Sequence, residues 1–317
     1  MNAYLNLAVV GPGALGCLLA ARLHLAGACR VRLVDHDAGR AATLNRQGII
    51  LEGPAAPSAS PLPIPVTADY ADTAGCSAVI FCVKSLTLPQ ALADAVPFAD
   101  PATPFITFTN GISHLEQLCR LRGRCLPVPG ICTAGATLLA PGRVRPGGPG
   151  TLTMGHVDSA SSHWAHNLAD PLHQISQTFR QAGFDTRIST NIQRELWHKL
   201  LVNVGINALT VVHDCPNGRL LEIPAARQQM ALAVNEAAAV AEASGIALGM
   251  DPLAMVEEVC RRTATNISSM LQDIRQHRAT EIMAINGEIV RRAHQLGMTA
   301  PANEELTKAI KQRHPKQ

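Results

Sequence analysis

One stretch, Leu5–Leu23, constrains the fold more than any other. A short apolar run, Leu5–Val10, leads directly into Gly11-Pro12-Gly13-Ala14-Leu15-Gly16, and the following Cys17–Leu23 (CLLAARL) is strongly helix-forming. Strand, glycine turn and helix in that order are the phosphate-binding unit of a βαβ fold. Gly11 allows the tight turn, Gly13 lets backbone approach a pyrophosphate, and Gly16 permits close packing of helix on strand. The backbone at Ala14, Leu15 and Gly16 then lies at a helix N-terminus, where unpaired N–H groups and the dipole favour an anion. The next strand-like run, Arg30–Val34, ends in Asp35. That is about 20 residues beyond the motif, where an acidic side chain bonds the ribose 2′-OH of NAD. A dinucleotide site is expected, with an ordinary βα turn as the bland alternative.

The chain downstream extends this pattern. Ala38–Gln47 has a helical pattern ended by Gly48, and the Pro-rich piece Pro54–Pro65 is expected as a surface loop. Ala78–Val83 (AVIFCV) is a continuous apolar run suited to a buried parallel strand, and it delivers Lys84 and Ser85 at its carboxyl end. Phe105–Phe108 repeats the arrangement and delivers Thr109-Asn110-Gly111. Either Lys84 or Asn110 could simply cap a helix, but two polar deliveries onto the edge that carries the glycine turn point to a cleft. From Leu126 to Met154 short β-like pieces alternate with Gly and Pro, helical patterning returns over Ser162–Gly183, and Phe184–Ile188 is strand-like. Beyond Asn191 everything has a helical pattern: Pro224–Ser244, Pro252–Thr263, Met270–His277, Ile282–Gln295 and Asn303–Arg313 are joined by short loops. The expected organisation is an α/β chain, with a Rossmann-like NAD(P)-binding domain over 1–190 and an all-helical substrate domain over 191–317.

Composition excludes several classes. At 317 residues there is room for two cores; 47% hydrophobic, 16% charged and a formal charge of +3 leave no case for disorder, nucleic acid or a membrane surface. No apolar run is long enough to span a bilayer. The nine cysteines, at 17, 29, 76, 82, 119, 125, 132, 215 and 260, contain no C-x-x-C pair. Buried thiols in a reducing compartment fit better than disulfides or zinc. Met1 leads into strand-like sequence with no basic n-region, so a cytoplasmic protein is expected. His163 and His166 are three apart but lack a third ligand, and no metal is expected. The oligomeric state stays open, a homodimer included.

The chemistry points elsewhere, to Glu195–Thr210 (ELWHKLLVNVGINALT). In a helix, Lys199, Asn203 and Asn207 are four apart and share one slowly drifting stripe, while apolar residues point in every other direction. Such a helix is buried all round, and its ammonium and amides must meet partners or line a polar cavity. Further on, Asn266–Asp273 (NISSMLQD) is followed by Thr280–Gly287 (TEIMAING). Ser269 with Gln272 has capping-box spacing, and Thr280 with Glu281 could open a helix. Those roles leave unexplained why Glu281 enters the apolar run Ile282, Met283, Ile285; a carboxylate there wants a partner, and Lys199 is a candidate.

These residues closely resemble the ketopantoate reductase (2-dehydropantoate 2-reductase) family, nearly end to end. The likeness runs through the glycine motif, Val83-Lys84-Ser85 and Asn110-Gly111, and then the more specific Trp197–Asn207, Ser268–Asp273, Thr280–Gly287 and Pro301–Asn303. It implies reduction of 2-dehydropantoate to (R)-pantoate with NADPH, on the route to pantothenate and coenzyme A. By residue it implies Lys199 as general acid and Glu281 holding the substrate hydroxyl. Asn203, Asn207 and Ser269 would bind substrate, and Asn110 and Lys84 would sit beside cofactor and substrate. Hydride addition to a ketone develops charge on oxygen, so a proton donor aimed there is the chemistry required, in a cleft between the two domains.

One departure concerns the cofactor. Many members carry an Arg just after the second strand to pair with the 2′-phosphate of NADP, where this chain has Val34-Asp35-His36-Asp37. Two carboxylates repel that phosphate and favour NADH, unless the first turn of the next helix brings Arg40 round. Competing functions are a related reductase of another branched 2-oxo acid and a dinucleotide-binding sensor without turnover. The Lys199, Asn203, Ser269 and Glu281 set argues against the sensor.

Overall fold

The structure, a computed structural model, describes residues 4–53, 60–148, 150–157 and 171–313. The chain divides into two compact units, Met1–Thr109 with His114–Ile192, and Asn110–Ser113 with Gln193–Gln317. Where the sequence suggested one boundary near Thr190, the division follows Ile192 and a four-residue excursion after the sixth strand goes with the second unit.

The first unit is α/β. Its strands are β1 (Leu5–Val10), β2 (Cys29–Val34), β3 (Ile50–Leu51), β4 (Val66–Thr67), β5 (Ala78–Phe81), β6 (Pro104–Thr107), β7 (Leu126–Cys132), β8 (Gly135–Ala140), β9 (Arg143–Gly148), β10 (Thr151–Met154) and β11 (Asp185–Ile188). An eight-stranded sheet has the order β11-β10-β7-β6-β5-β1-β2-β4, and β3, β9 and β8 make a smaller one. β1 pairs in parallel with both β2 and β5. The chain therefore crosses from one side of β1 to the other between β4 and β5, which makes a topological switch point at the carboxyl end of β1. Every residue of β5 and β6 is buried, the continuous apolar pattern of parallel strands covered on both faces.

Alternation along β1 sorts the core. Leu7 and Val9 face one layer with Leu18, Leu19 and Leu23 of helix α1 (Ala14–Ala26), while Ala8 and Val10 face the other, with Phe81, Leu88 and Leu92. The remaining helices of this unit are α2 (Ala38–Gln47), α3 (Leu88–Ala95), α4 (His114–Arg120) and α5 (Pro171–Gln181). The sequence placed a helix over Ser162–Gly183; its first part, with His163 and His166, lies outside the described residues.

The second unit is helical: α6 (Ile192–Val212), α7 (Pro224–Ala243), α8 (Pro252–Arg262), α9 (Ser269–Arg275), α10 (Asn286–Gln295) and α11 (Pro301–Arg313). α6 lies against α7 and α8 at Gly205, where a Cβ would come 2.7 Å from Val256 and 2.8 Å from Val234. The helix expected over Ile282–Gln295 is broken. Ile282–Ala284 is a 3₁₀ turn, and Ile285 leaves helical geometry at φ −108°, ψ −94°. The break carries Asn286 into the interior, where its amide donates to the Val204 carbonyl at 3.4 Å and to Asn303 Oδ1 at 3.0 Å.

Candidate active site

The strand register assembles the candidate dinucleotide site of the first unit. Val10 pairs with Val34 on one side and with Phe81 on the other, so β1, β2 and β5 end level. Gly11 follows with φ +94°, and its N–H donates to the Val34 carbonyl at 2.9 Å. A Cβ at Gly16 would overlap the Gly11 carbonyl oxygen, whereas a Cβ at Gly13 would meet nothing within 4 Å. Gly16 thus closes the turn from inside, and Gly13 faces open space. No side chain caps the start of α1 and no acid lies in its first turn. The amides of Ala14, Leu15 and Gly16 therefore end in an open cradle with a positive dipole, which fits the pyrophosphate of a dinucleotide. Beside it, burial pushes the Cys17 thiol up to about 12, and the thiol donates to the Pro12 carbonyl at 3.3 Å.

Asp35 continues directly from β2. Its carboxylate has no solvent exposure and is gripped by Arg40, with Nε to Oδ2 and Nη2 to Oδ1 both at 2.5 Å. Asp37 caps α2 by accepting the Arg40 N–H at 2.8 Å, a bond that holds its carboxyl below the usual range. The sequence argument for NADH rested on two unpaired acids here. One is neutralised by Arg40, and the other is occupied with a helix N–H.

Lys84 does not sit at the tip of a strand: β5 ends at Phe81, and the Lys84 carbonyl accepts the N–H groups of Thr87 and Leu88 in the turn that opens α3. Lys84 therefore shapes a βα loop of the first unit. Asn110 caps no helix. Its amide donates to Glu281 Oε2 at 2.7 Å, a contact inside the second unit across 171 residues of sequence.

Helix α6 is not buried all round. Glu195, Lys199 and Asn203 are half-buried along one stripe, while Leu196, Leu200, Leu201 and Val204 are buried. Asn207, one turn on, is 6% exposed. Polar groups in such a place are costly unless something else satisfies them. The Glu281 segment is fixed against the same stretch, because Asn286 bonds the carbonyl of Val204, the neighbour of Asn203.

Ser269 reaches this helix through its neighbour. The capping box expected at Ser269 and Gln272 is displaced by one residue: Ser268 is the cap, its Oγ accepting the Leu271 N–H at 3.1 Å. That buried hydroxyl also meets Thr210 Oγ1 of α6 at 2.6 Å. Ser269 is left exposed at the first position of α9. Adjacent serines offer two cap registers, and the Gln at the right distance favoured the wrong one; Thr210, one turn beyond Asn207, was the missed signal.

Among the described residues no group of three His, Cys, Asp or Glu could hold a metal, and no helix is long and apolar enough to cross a membrane. Comparison with known proteins supplies the family. Ketopantoate reductase PanE/ApbA matches residues 7–159, and its C-terminal part matches 191–314. The chain belongs to the ketopantoate reductase family. A 2-dehydropantoate 2-reductase of Halobacterium salinarum is 30% identical over 97% of this chain and 98% of its own, and one of Vibrio cholerae is 30% identical over 97% of each. The solved ketopantoate reductase of Ralstonia eutropha JMP134 superposes with a TM-score of 0.85 at 26% identity, covering 98% of both chains. D-mandelate dehydrogenase, solved with NADH and anilino(oxo)acetate, shares the fold at TM-score 0.84 and 23% identity over 98% of both chains. The two matches together cover both halves of the chain.

Proposed function

We propose that this ketopantoate reductase reduces 2-dehydropantoate to (R)-pantoate with a reduced nicotinamide dinucleotide, a step towards pantothenate and coenzyme A. The observation that carries the proposal is the half-buried stripe of Lys199 and Asn203 on α6, with Glu281 held by Asn110 and anchored beside that stripe through Asn286. A reduced nicotinamide dinucleotide held at the Gly11–Gly16 turn would supply the hydride for the carbonyl carbon of the oxo acid. As charge develops on the carbonyl oxygen, Lys199 donates the proton that converts it to the hydroxyl. Glu281, oriented by Asn110, accepts a hydrogen bond from the substrate's own hydroxyl. Asn203, Asn207 and Ser269 offer neutral donors and acceptors that fix the substrate without cancelling the Lys199 charge. In the first unit, the Gly11–Gly16 backbone holds the pyrophosphate, and Lys84 lies on the loop after β5. The family's solved fold and the near-full-length relatives named for this reaction support the same assignment.

The test is initial-rate oxidation of NADPH and NADH with 2-dehydropantoate and a panel of other 2-oxo acids. Turnover of 2-dehydropantoate above the panel is expected, and Lys199→Ala should lower kcat by about 100- to 10,000-fold. A wild-type rate in Lys199→Ala would overturn the assignment of the acid. Preference for another branched 2-oxo acid would overturn the substrate and keep the mechanism.

A further inference from the structure

We propose that Thr210 is a positioning residue for the oxo-acid site: its buried hydroxyl bridges α6 to the cap of α9 and so sets Ser269 at a fixed distance from Asn207. The proposal rests on the reading of Asn207 and Ser269 as substrate ligands, and extends it to a pair of buried hydroxyls that join the two elements.

Asn207 lies on α6, one turn before Thr210, and Ser269 is the first residue of α9. The side chains that join these helices are interior ones: Thr210 is 0% exposed and Ser268 6%. Their oxygens are 2.6 Å apart. Each hydroxyl carries one proton, which fixes the direction of the bonds. Thr210 Oγ1 donates to the Asn207 carbonyl at 2.8 Å, so it has only lone pairs left for Ser268. Ser268 therefore donates to Thr210, while its own Oγ accepts the Leu271 N–H at 3.1 Å. A run of hydrogen bonds thus leads from the first turn of α9, through both hydroxyls, to the backbone of Asn207, and each member polarises the next.

The surrounding chain is held by other bonds. The segment after α6 docks on the loop before α9 through the Asn217 N–H to the Asn266 carbonyl at 3.0 Å and the Gly218 N–H to the Ala264 carbonyl at 3.1 Å. Asn217 Nδ2 adds a bond to Thr263 Oγ1 at 2.9 Å, and Arg275, at the far end of α9, pairs with Asp214 at 2.7 Å. These contacts keep the loop and the end of α9 in place when the bridge is cut. The start of α9 is tied to α6 by the Thr210–Ser268 bond itself. A valine at 210 fills nearly the same volume but leaves the Ser268 proton without its acceptor. Ser268 must then turn to find another, and the first turn of α9 moves with it. A displacement on the order of 1 Å is enough to spoil a substrate contact that closes at about 3 Å.

Steady-state kinetics of the full chain with the 2-oxo acid that the wild type reduces best, on Thr210→Val, Thr210→Ser, Ser268→Gly and Ser269→Ala, reads this directly. Thr210→Val should raise KM for the acid about 5- to 50-fold, the range of a buried hydrogen bond lost, with kcat within about threefold and dinucleotide affinity by titration unchanged. Thr210→Ser restores the hydroxyl and should bring KM back to within about threefold of the wild type. Ser268→Gly cuts the same bridge from the other side while keeping a residue that serves as a helix N-cap, so it should give the same rise in KM even where Thr210→Val fails to fold. On a Ser269→Ala background, Thr210→Val or Ser268→Gly should add less than about twofold, because the effect passes through Ser269. A wild-type KM in Thr210→Val or Ser268→Gly with only a lowered thermal midpoint, no rescue by Thr210→Ser, or a full effect on the Ser269→Ala background would each overturn the proposal while leaving the substrate ligands as assigned. A wild-type KM in Ser269→Ala alone, or no turnover of any 2-oxo acid by the wild type, would overturn the ligand reading together with it.

Discussion

Side chains far apart in sequence meet here through single contacts, and the contact between Asn110 and Glu281 carries the most chemistry. A glutamate that opens an apolar turn needs a donor to fix its orientation, and the Asn110 amide supplies one at 2.7 Å. If the amide acts through the carboxylate, the two substitutions cannot be independent. Glu281→Ala is expected to weaken productive binding of the oxo acid, raising KM more than it lowers kcat. Asn110→Ala should do the same less severely, and the double variant should be no worse than Glu281→Ala, a coupling of about 0.5–3 kcal/mol. A double-mutant cycle in kcat/KM measures it, and strictly additive losses would mean that the contact plays no part in turnover. Lys199, Asn203 and Glu281 stand out in the sequence as polar groups set among apolar neighbours. Asn110 as a donor to Glu281 was not legible there, because it comes from the loop after β6, 171 residues away.

At the level of elements, the glycine turn separates space that the fold needs from space that a ligand needs. A Cβ on Gly16 collides with the Gly11 carbonyl, while one on Gly13, whose φ of −78° and ψ of −166° any residue can adopt, enters open space. Gly16→Ala is expected to fail in folding, since backbone on both sides must move. Gly13→Ala should keep its thermal midpoint to within about 1 kcal/mol of stability and lose at least about tenfold in dinucleotide affinity, because the methyl occupies room the phosphates require. Calorimetry and titration on the same sample decide it; unchanged affinity would move the phosphates elsewhere. Element boundaries show what local sequence can and cannot fix. Ala38–Gln47 and Pro224 onward were placed by a cap or a proline, whereas Ile282–Gln295 read as one helix and is two elements. Propensity favours continuation there. The break exists because Asn286 finds better partners on α6 and α11 than a continued helix would give it.

Across the whole molecule, the second unit is joined by buried amides as much as by apolar packing. Glu236 of α7 accepts the N–H groups of Ala302 and Asn303 at 2.8 and 3.0 Å and so caps α11, while Asn303, fully buried, bonds Glu236, the Ala233 carbonyl and Asn286. Through Asn286 the chain of bonds ends on the Val204 carbonyl, next to Asn203. Glu236→Ala is expected to cost about 1–3 kcal/mol, since it strands two helix N–H groups and part of a buried amide. Thermal unfolding should show the loss. Below the transition, dinucleotide affinity should be retained, because the phosphate cradle and the Asp35–Arg40 pair lie in the other unit. An unchanged midpoint would mean that water replaces the carboxylate at no cost.

The sequence by itself determined the βαβ glycine turn, the α/β half followed by a helical half, and the polar residues of α6, because each is a pattern of neighbours within a few turns of chain. Tertiary structure alone decided which serine caps α9, that Asn110 belongs with Glu281, and that Asp35 is a seat for Arg40 and not a bare acid. Those three depend on partners whose nearness is a matter of backbone path, and a hydrogen bond that closes only at about 3 Å cannot be read from residue type.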